Sequence, residues 1–202
     1  MDETELIHAA RQGDIDAFNR LVLLYQDMVF TQALRMLGEA APAEDVAQEA
    51  FLSAYRNLVY YRGGSFRAWL LRIASNLCYD ELRRRKRRPT VPLEPQDEAG
   101  EEIENPHWSI DPGELPEDRL ERAELERAIQ RCLDNLPEDF RQVVVLIDLQ
   151  GLDYSEAAQA MRKPLGTIKS RLARARFRLR ECLEGLWELL PDEFRLERER
   201  MP

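Results

Sequence analysis

Between residue 4 and about residue 86, apolar side chains recur at helical spacing, with few strand-like alternations. Phe18, Leu21, Val22, Tyr25, Met28, Val29, Met36 and Leu37 form one stripe, and Gly38 supplies a stop. Pro42 suits the first position of a second helix, whose buried face is Val46, Ala50, Phe51, Ala54 and Leu58. After the loop "YYRGGS", Ser65 is placed to cap a third helix lined by Phe66, Leu70, Ile73, Leu77 and Leu82. These elements predict a compact helical bundle over residues 1–88.

Periodicity then stops. Residues 89–118 are rich in proline and carboxylates and carry no apolar repeat, which predicts a flexible acidic linker. Helical spacing resumes with Leu125, Ala128, Ile129, Cys132, Leu133 and Leu136, and Pro137 can open a further helix bearing Phe140, Val143, Val144 and Ile147. A second helical domain is therefore expected over 119–184, and the tail 185–202 receives no role. The fold class is all-α: two small helical domains joined by a flexible acidic linker, burying one core or two small ones.

The end of the second domain reads as helix, turn, helix. Asp153 and Glu156 have capping-box spacing, and Ala157, Ala158 and Met161 face inward. "RKPLG" makes the turn. At about 100° per residue, Ile168, Leu172, Ala175 and Leu179 fall on one stripe. Thr167, Lys169, Ser170, Ala173 and Arg174 lie opposite, flanked by Arg171, Arg176 and Arg178. No carboxylate interrupts the chain from Arg162 to Arg180. Solvated helix faces usually mix signs to gain i,i+4 pairs, so small residues, donors and flanking arginines together predict a helix for a DNA major groove.

Two other patches bear on function. The run "RRRKRR" ends the third helix, with Tyr60, Tyr61, Phe66 and Trp69 near its start, an arrangement suited to unpaired bases beside a cationic track. Such a run also complements a helix dipole, and the aromatics also suit a core. Glu44, Asp45, Gln48 and Glu49 instead make an acidic edge that would repel DNA and fit a protein partner with a basic surface.

Composition narrows the choice. The 202 residues are 44% hydrophobic and 33% charged with a formal net charge of -9, as in a soluble helical protein. The start "MDETEL" lacks a secretory signal and no apolar run could cross a bilayer, so a cytoplasmic location without membrane insertion is expected. Cys78, Cys132 and Cys182 are odd in number and far apart, which predicts buried free thiols, and no metal or other cofactor is expected. The sequence shows no carboxylates at metal-ligand spacing, no phosphate-cradling glycine loop and no nucleophile with a histidine partner, so an enzyme is not expected.

The segments "ALRMLG", "AEDVAQEAFLSAYRNL", "SFRAWLLRIASNLCYDELRRRKRR", "LPEDFRQVVVLIDLQGLDYSEAAQAM" and "GTIKSRLARAR" resemble, in order, those of the extracytoplasmic-function (ECF) subgroup of bacterial sigma-70 family sigma factors. The resemblance covers residues from about 10 to 184. It implies a sigma-two domain, then a sigma-four domain, in a factor that directs core RNA polymerase to promoters. By that resemblance Asp45, Gln48 and Glu49 would dock on the polymerase. Arg62, Gly63, Gly64, Ser65, Trp69, Arg72 and Asn76, with Arg83 and Arg84, would read and hold the melted minus-ten element. Thr167, Lys169, Ser170, Arg171, Ala173, Arg174 and Arg176 would engage the minus-thirty-five element. The linker would run through the RNA exit path, and an anti-sigma factor would be a further partner.

Three features depart from the family pattern. The loop after Tyr60 is about one residue short and lacks a common acidic residue. Arg162 stands where a turn glycine is usual, which predicts strain of about 1 kcal/mol if the residue is left-handed. Ala157 and Ala160 replace bulkier aliphatics. The alternative reading is a helix-turn-helix regulator that binds duplex DNA without acting as a sigma factor. It accounts for the C-terminal half but not for the basic and acidic faces of the first domain.

Overall fold

A computed structural model describes residues 2–87 and 116–185, with side chains from residue 122 onward in the second segment. The described residues form eight α-helices in two groups. The first group is α1 (Glu3–Arg11), α2 (Ile15–Leu37), α3 (Ala40–Asn57) and α4 (Phe66–Arg87), with a short 3-10 turn over Leu58–Tyr60. The second is α5 (Pro116–Asp134), α6 (Glu138–Val144), α7 (Tyr154–Met161) and α8 (Leu165–Glu184). A π-helical turn, Val145–Leu149, extends α6.

Local chemistry sets most boundaries. Asp2 and Asp14 accept hydrogen bonds from the first-turn amides of α1 and α2. Gly38 ends α2 at φ 79°, a left-handed cap that a β-carbon would disfavour. Ser65 Oγ accepts from Ala68 N at 3.1 Å and so caps α4 as expected. Pro42 is not the first residue of its helix, because α3 starts at Ala40. It still lies among the first four residues, whose amides have no intrahelical acceptor, so its missing N–H leaves no gap.

Most of the expected stripes are buried. Leu21, Val29, Ala50, Ala54, Leu70, Leu133, Val143, Ile168, Leu172 and Ala175 are each at most 2% exposed, whereas on α4 Ile73, Leu77 and Leu82 are half-buried and Leu71 and Ala74, outside the expected stripe, are buried instead. Gln32 lies among them, and its Nε2 donates to Ser75 Oγ at 2.6 Å and to Leu71 O at 3.1 Å, joining α2 to α4, while its Oε1 is buried without a partner. The two helical groups expected from the sequence are present, and one apolar cluster runs through both, from Leu6 and Phe18 to Ile168 and Leu172. The α4–α7 packing joins the two groups.

Two further expectations need correction. The segment read as linker ends earlier than residue 118, since α5 begins at Pro116, a residue suited to a first helical position; residues 88–115 lie outside the described residues, as does the tail from 186. Free thiols were expected at all three cysteines. Cys78 is buried and free, but Cys132 and Cys182 form a disulfide between α5 and α8. Their Cα atoms stand 5.7 Å apart across a separation of 50 residues, a proximity that local periodicity does not encode.

Candidate nucleic-acid interface

Helix α7 is started by the expected capping box. Asp153 Oδ1 accepts from Glu156 N at 2.8 Å, and Glu156 Oε2 accepts from Asp153 N at 3.1 Å. The helix ends at Arg162, which adopts φ 50° and ψ 44°; the left-handed turn position is thus filled by an arginine. Pro164 then precedes α8. Ile168, Leu172 and Ala175 are buried and Leu179 is half-buried, so Lys169, Ser170, Ala173 and Arg174 are exposed with Thr167 half-buried beside them.

The flanking arginines of α8 are held differently from that central group. Arg171 pairs with Asp139 at 2.7 Å, and Arg176 makes a two-pronged contact with Asp148 at 3.0 and 2.5 Å. Arg178 lies over the Phe140 ring at 5.2 Å and Lys169 over that of Tyr154 at 5.7 Å. The face therefore presents Ser170, Ala173 and Arg174 outward, between cations anchored by the protein itself.

The second cationic region starts in the loop before α4. Gly63 and Gly64 both have positive φ, at 89° and 93°, and Tyr61 Oη donates to Gly64 O at 2.6 Å. Arg62 and Asn76 are exposed and Arg72 is half-buried. Burial, reinforced by nearby Arg162, holds the Arg72 guanidinium below its ordinary pKa. The aromatics divide: Tyr61 and Phe66 are core residues, Trp69 is half-buried with ring centroids 5.3 and 5.5 Å from theirs, and Tyr60 is 74% exposed. At the far end of α4, Arg83 pairs with Asp80 at 3.1 Å and Arg84 with Glu81 at 2.6 Å. The Arg83–Asp80 pair is exposed on both sides, contributes little and exchanges readily for phosphate, whereas Glu81 is largely covered beneath the exposed Arg84.

Asp45, Gln48 and Glu49 are exposed along α3, and Glu49 reaches Arg56 at 3.5 Å. The same edge continues into exposed Leu52 and Tyr55, apolar contact area absent from the sequence reading.

Sequence reasoning also missed how the two groups meet. Ser65 Oγ donates to Glu156 Oε1 at 2.6 Å, so one hydroxyl caps α4 and contacts α7. A cleft of about 760 Å³ opens beside them, with Arg11 of α1, Arg62, Gly63 and Glu156 in its wall. Arg141, 7% exposed, donates to Met36 O at 2.6 Å and Asp134 O at 2.8 Å, and pairs with the Asp134 carboxylate at 3.0 Å. Tyr79 Oη lies 2.6 Å from Gln142 Oε1 and 3.0 Å from Asp139 Oδ1; burial, with Asp139 beside it, raises its pKa well above the usual phenol value. Gln150 Nε2 donates to Met28 O at 3.2 Å. Every one of these contacts spans at least 60 residues except the Arg141–Asp134 pair, and no short motif announces them.

Among the described residues, no three His, Cys, Asp or Glu side chains are grouped to hold a metal ion. No described helix is long and apolar enough to cross a membrane. The cytoplasmic location expected from the sequence is corrected to that narrower statement, because the lack of a spanning helix does not assign a compartment.

A helix-turn-helix with an exposed cationic face, joined to a helical bundle with its own cationic helix, defines a helical nucleic-acid-binding protein. Known proteins narrow the class. Residues 21–88 match the family model for Sigma-70 region 2, and residues 126–186 match that for Sigma-70, region 4. The chain is 38% identical over 185 residues to the RNA polymerase sigma-H factor of Pseudomonas aeruginosa, covering 91% of this chain and 95% of that one. It is 36% identical over 181 residues to the ECF RNA polymerase sigma factor SigW of Bacillus subtilis, covering 89% and 96%. Among solved structures, CnrH in complex with the cytosolic domain of CnrY aligns with a TM-score of 0.64 at 26% identity, over 89% of this chain and 96% of that one. The sigma factor RpoE in complex with the anti-sigma factor NepR from Bartonella quintana gives 0.64 at 27%, over 83% and 96%. The chain belongs to the ECF sigma factors of the sigma-70 family, which are non-catalytic and bring core RNA polymerase to promoter DNA. The alternative regulator reading fails at the first group of helices, which is a sigma region in its own right.

Proposed function

We propose that the three surfaces divide the work of promoter recognition. Asp45, Gln48 and Glu49 dock on core RNA polymerase. The loop Arg62, Gly63 and Ser65 with Trp69, Arg72, Asn76, Arg83 and Arg84 binds the melted minus-ten strand, and Tyr60 is the exposed ring for stacking. Thr167, Lys169, Ser170, Arg171, Ala173, Arg174 and Arg176 bind the minus-thirty-five duplex. The observation that carries this reading is the outward group Lys169, Ser170, Ala173 and Arg174 on α8. Small side chains there admit the groove, Arg174 is free to reach a base edge, and the anchored arginines line the flanks.

The same geometry supports a closed state. Ser65 has its one hydroxyl proton committed to Glu156 and one of its two lone pairs to Ala68, so it can donate to a DNA strand only when α7 leaves the loop. An anti-sigma factor of the kind bound to RpoE is the partner that fits such a state. The acidic balance of the chain fits it too: the basic faces act locally, and the chain without polymerase binds DNA weakly.

The test separates the surfaces. Joint Asp45→Ala, Gln48→Ala and Glu49→Ala substitution is expected to abolish core polymerase binding. Arg174→Ala should leave core binding intact and weaken the minus-thirty-five duplex about ten-fold, as loss of a base contact of 1–3 kcal/mol implies. Loss of core binding in Arg174→Ala with retention in the triple variant would overturn the assignment.

A further inference from the structure

We infer that Cys132 and Cys182 are a reversible redox pair that fastens and releases the end of the DNA-facing helix. Their disulfide joins α5 to α8 and closes a loop containing α6, α7 and the whole exposed face of α8. The buried stripe of α8 runs through Ile168, Leu172 and Ala175 and is only half-buried at Leu179, and Cys182 lies one turn further on. Opening the bond therefore frees the last turns of α8 while apolar packing keeps the helix-turn-helix folded.

The three thiols differ in the way a selective switch needs. Cys182 is half-buried near the end of its helix and open to small oxidants and reductants, whereas Cys132, 1% exposed, sits behind it as the resolving partner. Cys78 is fully buried, and burial pushes its thiol up to about 12, so it stays protonated and does not compete. Helix α5 also touches the first helical group: Gln130 Nε2 donates to Arg35 O at 3.3 Å. The bond thus couples α8 to both groups.

The chemistry balances with a peroxide as oxidant. The Cys182 thiolate attacks one peroxide oxygen, the O–O bond breaks, and a sulfenic acid and water form. The Cys132 sulfur displaces the sulfenic oxygen as a second water, so two thiols lose two electrons and two protons to one peroxide. A dithiol reverses the step by exchange.

The full chain is treated with hydrogen peroxide or dithiothreitol without denaturant, and thiols are then counted with a maleimide after unfolding. One reactive thiol is expected in the oxidised chain and three in the reduced chain. Reduction is expected to lower Tm by about 5 °C or more, since it restores the freedom of a long loop in the unfolded state. It should also weaken minus-thirty-five duplex binding about three-fold, a readout that rests on the proposed role of α8. The Cys132→Ser/Cys182→Ser chain should match the reduced protein and ignore peroxide, while Cys78→Ala should keep the response. Three thiols after peroxide, a bond that dithiothreitol opens only in denaturant, or a double variant with the Tm of the oxidised chain would overturn the inference. If thiol count and Tm move as stated but no form binds the duplex, the redox pair stands and the role of α8 falls.

Discussion

Ser65 and Glu156 are 91 residues apart in sequence and 2.6 Å apart in the structure, and each also serves as a capping residue of its own helix. The helix start that would touch the melted strand is thus bonded to the helix start of the helix-turn-helix. Replacing Glu156 by Gln keeps one acceptor oxygen for the capping box but replaces the oxygen that accepts from Ser65 with an amide N–H, a loss of about 1 kcal/mol. The expected result is about five-fold tighter binding of a minus-ten single strand by the full chain, with unchanged helix content by circular dichroism. Equal affinity in both chains would remove the contact from any gating role.

Arg141 holds α6 against the carbonyl end of α2. Its truncation leaves Met36 O and Asp134 O without their donor in a buried site, and chemical denaturation of Arg141→Ala should show a loss of about 3 kcal/mol. Lysine should recover only part of it, because one ammonium cannot reproduce the two-nitrogen reach of the guanidinium.

Arg162 carries a left-handed conformation and a charge that faces Arg72. Glycine at this position relieves both, and Arg162→Gly should raise stability by up to about 1 kcal/mol, read as a Tm increase of about 2–4 °C. A fall in Tm would show that the arginine side chain contributes more than its backbone strain removes.

These three positions also mark how far the sequence could be read. The α8 stripe and its exposed face, the Ser65 cap and the capping box of α7 are local patterns that hydrophobic period and residue type determine directly. The left-handed Arg162 was legible from its place in the turn. Arg141 was not, because the partner that ties it to the first helical group, Met36 O, is a backbone carbonyl about 100 residues earlier, and carbonyls carry no sequence signature. The Cys132–Cys182 bond was missed for the same reason: each cysteine sits in a regular helix, and only the packing of α5 on α8 brings them together.

Glu81 accepts from Arg84 and Arg85, and the Arg84 hydrogen bond is the main cause holding its carboxyl below the usual glutamate value. A depressed folded pKa contributes stability above the unfolded value, and that contribution disappears as pH falls through the folded one. Thermal melts of Glu81→Gln should therefore lose less stability on acidification below about pH 4.5 than wild type does. Parallel acid limbs would mean the two arginines interact no more strongly with Glu81 in the folded chain than in the unfolded one.

The central claim is that this chain gives core RNA polymerase a promoter. The most direct measurement is transcription in vitro by bacterial core polymerase from a randomised promoter library, with and without the protein. The account predicts start sites that arise only when the chain is added and share two spaced elements, with the upstream preference altered in Arg174→Ala. Start sites independent of the chain, or binding to duplex DNA that changes only transcription driven by another sigma factor, would contradict it.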